Sequence, residues 1–116
     1  MEEKIMKDFR VSNFNILPSK VLGGVELFNL ELSREVLDAC KKYDVAVLGI
    51  EGFRVLEDLR VPDMGCIVDF STLIKNLGSG FPAYSRMAAR EFIENFVDNE
   101  ILLEFVLAEF QENSSG

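Results

Sequence analysis

Val45-Ala46-Val47-Leu48-Gly49-Ile50-Glu51-Gly52-Phe53 opens with six residues that carry no polar side chain, too short a run for a helix of ordinary length. Such a run reads as a strand buried on both faces, in the middle of a sheet. Phe53-Arg54-Val55 resumes as a half-buried strand. Gly49 and Gly52 bracket Ile50-Glu51, which leaves two geometries open over Val45 to Leu56: a tight hairpin, or one long strand bulged at a glycine.

Downstream of this stretch, Pro62-Asp63 predicts a turn and Cys66-Ile67-Val68-Asp69-Phe70 the next strand. Upstream, Val25 to Leu32 alternates as an extended segment near a sheet edge. Ser33 then reads as the N-cap of a helix whose apolar stripe is Val36, Leu37, Cys40 and Tyr43. Asp38 and Lys42 are spaced as an i,i+4 pair, and Lys41 and Lys42 oppose the negative end of the helix dipole. Gly78-Ser79-Gly80-Phe81-Pro82 reads as a linker, with Pro82 suited to the first turn of a second helix over Ala83 to Asp98. Its expected apolar stripe is Met87, Ala89, Phe92, Ile93, Phe96 and Val97. Ile101 to Phe110 suits a strand with Leu103, Phe105 and Leu107 on one face, a third helix being the other option.

These elements add up to an α+β domain: a mostly antiparallel sheet of about four to five strands with two main helices packed on one face. A chain of 116 residues, 48% of them hydrophobic, supports one such core. The domain is expected over 1–110, with 111–116, ending in Asn113-Ser114-Ser115-Gly116, as a flexible tail.

The formal net charge is −8, and it is unevenly placed. Through residue 90 acids and bases nearly balance, whereas Glu91, Glu94, Asp98, Glu100, Glu104, Glu109 and Glu112 follow with no base among them. A chain of this balance repels phosphate backbones and anionic membranes, so neither nucleic acid nor a membrane is an expected partner, while a basic protein is. The first residues lack an apolar leader core and no stretch approaches the ~18 consecutive apolar residues of a spanning helix, so a cytoplasmic location is expected. Cys40 and Cys66 fall inside apolar patterns and read as buried, reduced thiols.

Histidine is absent, which removes Ser-His and Cys-His nucleophile pairs and imidazole general bases. Gly78-Ser79-Gly80 lacks the Lys-Ser/Thr ending of a phosphate loop, and Gly23-Gly24 lacks the third glycine of a dinucleotide fingerprint. Asp58, Asp63 and Asp69 do not fit a calcium loop, and Ser19-Lys20 has only adjacency to recommend it as a nucleophile and base. The expectation is therefore a protein that is not an enzyme and carries no metal or cofactor. Asp69, placed at a strand end before Ser71-Thr72, reads first as a cap and second as a partner contact.

Leu32-Ser33-Arg34-Glu35, then Val45 to Phe53, Ile67-Val68-Asp69-Phe70 and the Ala89-Glu91-Phe92-Ile93 helix together resemble small immunity proteins of bacterial polymorphic toxin systems. The resemblance spans roughly residues 23 to 110 and implies a non-enzymatic cytosolic inhibitor of one cognate toxin. An acidic chain suits a basic toxin such as a nuclease. Loops presented by a rigid sheet concentrate contacts, so Glu51, Glu57, Asp58 and Asp63 are the expected partner-binding residues, with Asp69 in second place. Glu91, Glu94 and Asp98, on the second helix, form a rival surface. Two other readings are a small-ligand-binding or sensory module bordered by the glycine turns, and a homodimer paired through the C-terminal strand.

Overall fold

In the computed structural model, which describes residues 4–57, 59–96 and 100–112, the chain runs β1 (Lys4–Phe9), β2 (Lys20–Leu22), β3 (Val25–Leu27), α1 (Leu30–Tyr43), β4 (Ala46–Leu56), β5 (Leu59–Asp69), α2 (Ile74–Leu77), α3 (Phe81–Glu94) and β6 (Leu102–Glu112). Four strands form an antiparallel sheet in the order β1-β6-β4-β5, and β2 and β3 form a separate hairpin. Phe28 extends that hairpin onto the main sheet, exchanging two backbone hydrogen bonds with Leu103 at 2.7 and 2.8 Å. β4, β5 and β6 have 11 residues each, which spans about 35 Å at the usual strand rise. The molecule measures 53 × 25 × 21 Å, so these strands run along its length.

The Val45 to Leu56 question resolves as one long bulged strand. Between Val47 and Gly49 the ladder slips: β4 advances two residues while β6 moves only from Leu107 to Val106. Leu48 is thus the extra residue, and the slip keeps both Val47 and Ile50 on the side of Leu107 and Phe105. Val47 N–H is satisfied by the buried hydroxyl of Ser85 at 2.9 Å. A second irregularity lies between Glu51 and Phe53 against β5. Both glycines of the motif are required by close approach: a Cβ on Gly49 would lie 2.9 Å from Val68 O, and one on Gly52 would lie 2.6 Å from Cys66 Cβ.

Val47, Ile50, Leu103 and Leu107 form the sheet's contribution to one continuous core, completed by Val36, Leu37 and Cys40 of α1 and Ala89 and Ile93 of α3. The two helices lie antiparallel, tied across their outer faces by Arg34 with Glu94 (2.9 Å), Arg90 with Asp38, and Arg86 with Asp44 (3.0 Å). Asp38 therefore bonds to the other helix rather than to Lys42.

Several boundaries differ from the sequence reading. α1 starts at Leu30, capped by Asn29, whose Oδ1 accepts from Leu32 N–H at 2.8 Å. Ser33 lies inside the helix, fully buried. Pro62 and Asp63 are not a turn but part of β5, which as an edge strand tolerates a proline. The expected linker is a 3-10 turn at Gly78–Gly80 followed directly by α3, with Pro82 in its first turn. Met87 leaves the core stripe and is 65% exposed. Of the expected Ile101 to Phe110 segment, all but Ile101 is strand: β6 begins at Leu102 and continues through Glu112, and 113–116 lie outside the described residues.

Candidate functional site

Strand alternation sends Gly49, Glu51, Glu104, Val106 and Ile67 to the face of the sheet opposite Ile50 and Leu103. In register, Glu51 lies directly across from Glu104 on β6 and from Ile67 on β5. Val106 and Ile67 are 50% and 41% exposed, so a mixed acidic and apolar strip of sheet remains open. Like charges directly opposed across strands repel. Partial burial pushes the Glu104 carboxyl above its ordinary range, the charge of Glu51 pushes it further, and Arg60 acts against both. The Arg60 guanidinium lies 5.3 Å from the centre of the Phe53 ring, next to this pair.

Of the residues singled out in the sequence, Glu51 is on this strip and Asp69 is at its end, across from Gly49. Asp69 caps the following turn: its Oδ1 accepts from Ser71 N–H at 2.9 Å and from Ser71 Oγ at 2.6 Å. The hydroxyl first, and the backbone N–H second, hold the Asp69 carboxyl below its ordinary range. Asp63 sits 3.5 Å from the Nε of Arg54 across the hairpin. Glu57 adopts left-handed backbone (φ 49°) where β4 turns into β5, a turn closed by Leu56 opposite Leu59. It stands six residues from Glu51, about 20 Å along the strand. Asp58 and Asp98 lie outside the described residues. On α3, Glu91 is exposed and Glu94 is bonded to Arg34.

The hairpin has its own character. β6 gives β4 no partner beyond the Phe53–Leu102 pair, so Arg54–Leu56 and Leu59–Val61 continue as a two-stranded arm. Leu56 and Leu59 at its tip are 61% and 67% exposed. The structure thus gathers Glu51 and Asp69 on the strip, puts Glu57 at the tip of the arm and leaves Asp63 at its base.

Two residues of the strip, Glu104 and Arg60, were not singled out from the sequence. The alternation that assigns Leu103, Phe105 and Leu107 to the core face puts Glu104 on the other one, a signal that was available. Arg60 carried none.

The groups best placed for covalent chemistry are committed elsewhere. Ser85 Oγ accepts from Val47 N–H and donates to Pro82 O at 2.8 Å, a structural pairing. Burial pushes the Cys40 thiol up to about 12, against a smaller opposing effect of Arg86, so it stays protonated at neutral pH. What the open strip offers instead is recognition: two carboxylates and apolar side chains on a rigid sheet. Among the described residues no helix is long and apolar enough to cross a membrane. Comparison with protein-family models, curated proteins and solved structures gives no match.

Proposed function

We propose that this chain is a cytoplasmic immunity protein that neutralises a cognate bacterial toxin by non-covalent binding, with a basic toxin surface seated on the open strip of the sheet. The observation that carries the reading is the Glu51–Glu104 pair held side by side between exposed Val106 and Ile67. Two opposed carboxylates cost the free protein some stability and gain from an incoming guanidinium or ammonium. Exposed apolar residues between them supply desolvated contact area. The arm carries Glu57 at its tip and has Asp63 at its base, and a net charge of −8 speeds capture of a cationic partner. Binding requires no catalytic group in this chain, in keeping with an inhibitor that is not an enzyme.

The test is co-expression with the toxin encoded by the neighbouring gene. Cells are expected to survive, and the association rate of the purified pair is expected to fall steeply as salt rises. Charge reversal by Glu51→Lys or Glu104→Lys should slow association by about tenfold or more with the fold intact. Continued killing in the presence of soluble, folded protein would reject the immunity reading.

A further inference from the structure

On the opposite side of the molecule from the acidic strip, α1 and α3 border a groove of about 490 Å³. Its apolar lining is Leu37, Ala83 and Met87. Leu37 is buried core, whereas Met87 is 65% exposed. The volume lies within the range of small-molecule sites rather than of packing defects.

The charges along the groove are not evenly distributed. Because the helices are antiparallel, Lys41 and Arg86 lie at the end of the groove beside the C-terminus of α1, Arg90, bonded to Asp38, lies midway, and Glu91 and Glu94 lie at the other end. Arg86 is a fixed cation: its Nη1 donates both to Asp44 Oδ1 at 3.0 Å and to Val45 O at 3.1 Å. Among the described residues no other hydrogen bond is made by Arg86, which leaves its Nε and Nη2 edge unbonded there. The Arg86 side chain is 17% exposed and lines the groove, and no fully buried side-chain nitrogen or oxygen among the described residues lacks a partner. A guanidinium held in place by one nitrogen, with its other edge free, is set up to receive a carboxylate by two parallel hydrogen bonds. Lys41, on the same groove, has no ion pair among the described residues and adds a second, mobile cation.

We propose that this groove binds a small monocarboxylate with an apolar body, its carboxylate on Arg86 and Lys41 and its chain along Leu37, Ala83 and Met87. The acidic end sets the specificity. Glu91, which has no ion pair among the described residues, stands where the far end of such a ligand would lie, while Glu94 and Arg90 beside it are taken up by Arg34 and Asp38, so a second carboxylate there meets like charge and a neutral tail does not. A neutral ligand of the same shape would leave the Arg86 edge unused. The site stands apart from the immunity reading and survives its failure, since it involves neither the strip nor the arm.

The probe is octanoate, titrated into the isotopically labelled full-length protein and followed by amide chemical shifts, with octanol and octanedioate as controls. Saturable shifts confined to α1 and α3 are expected for octanoate, with affinity at least about tenfold weaker for each control. Arg86→Gln should abolish binding, but it also releases Asp44 and Val45 O and could unfold the helix pair. Lys41→Gln and Met87→Glu, both at exposed positions, keep the test decisive: the first should weaken octanoate several-fold and the second should remove its binding. Equal binding of octanol, shifts centred elsewhere, absence of saturation, or undiminished affinity in both exposed-site variants would overturn the proposal.

Discussion

β4 is two strands in one. From Ala46 to Phe53 every residue but Glu51 is buried, paired with β6 along this stretch and with β5 from Gly49 onward, and closed by the helices; from Arg54 to Leu56 the same backbone has one partner and stands in solvent. Stability is concentrated in the first half and accessible surface in the second. Two-stranded ribbons have little stability of their own, so the arm depends on the packed half for its geometry. A surface built this way can change its side chains without endangering the fold.

The largest effect should come from truncating the packed half. Ile50→Ala removes a side chain that is 2% exposed and should cost about 2–5 kcal/mol, whereas Leu56→Ala at the arm should stay within about 0.5 kcal/mol. Urea unfolding of the two variants checks this directly. A comparable loss from both would mean that the arm belongs to the cooperative core.

Next come the glycines. Gly52→Ala forces a Cβ to within 2.6 Å of Cys66 Cβ and 3.1 Å of Ile101 Cδ1, atoms of the packed half with no room to retreat, and should cost about 1–3 kcal/mol. Gly80→Ala meets nothing within 4 Å and should be tolerated. If the two variants melt together, the close approach of β5 to β4 at Gly52 is wrong.

These glycines also mark how far the sequence could be read. The apolar run from Val45 located the central strand, and the spacing of Val36, Leu37 and Cys40 located the helix face, because both signals are local periodicities. The start of α1 was misread because Asn29 and Ser33 are both good caps. The choice between them is tertiary: Ser19 Oγ accepts from Asn29 N–H at 2.9 Å, and Phe28 is anchored on Leu103. Pro62 suggested a turn because proline is excluded from central strands, and nothing local reveals that β5 is an edge. The pairing of Glu51 with Glu104 depends on the slip at Leu48, since without that extra residue every β4 side chain beyond it would change faces. A bulge is a property of two strands together, and one strand's sequence does not disclose it.

Charge separates the two environments more finely. Cys40, at zero exposure on α1, has its thiol pushed from 9.0 to about 12. Below pH 9 the thiol is protonated whether folded or not and contributes nothing. Between pH 9 and 12 only the unfolded chain ionises, so stability falls with rising pH, by up to about 1.4 kcal/mol per unit. Comparing the alkaline arm of the stability curve with that of Cys40→Ala isolates this group, and the variant should show the shallower slope. Native Cys40 should also resist thiol reagents at pH 8.

The smallest effect should come from the open strip, and its pH dependence runs in the same direction, in a lower pH range. The Glu104 carboxyl is raised by partial burial and then by Glu51, so the folded protein holds its proton more tightly than the unfolded chain does. Stability is therefore lost as pH rises through the interval between the two carboxyl pKa values, and at pH 7 the whole penalty is present. Arg60 and solvent screening keep it to a few tenths of a kcal/mol. Glu104→Gln should consequently leave the protein as stable as before or slightly more stable at pH 7, with the gain vanishing in mild acid. A single substitution that stabilises the free protein and slows capture of the proposed partner would identify Glu104 as a residue kept for binding at the expense of the fold. Clear destabilisation would show instead that Arg60 already neutralises the pair, and that the strip is an internal ion-pair network with no charge to offer a partner.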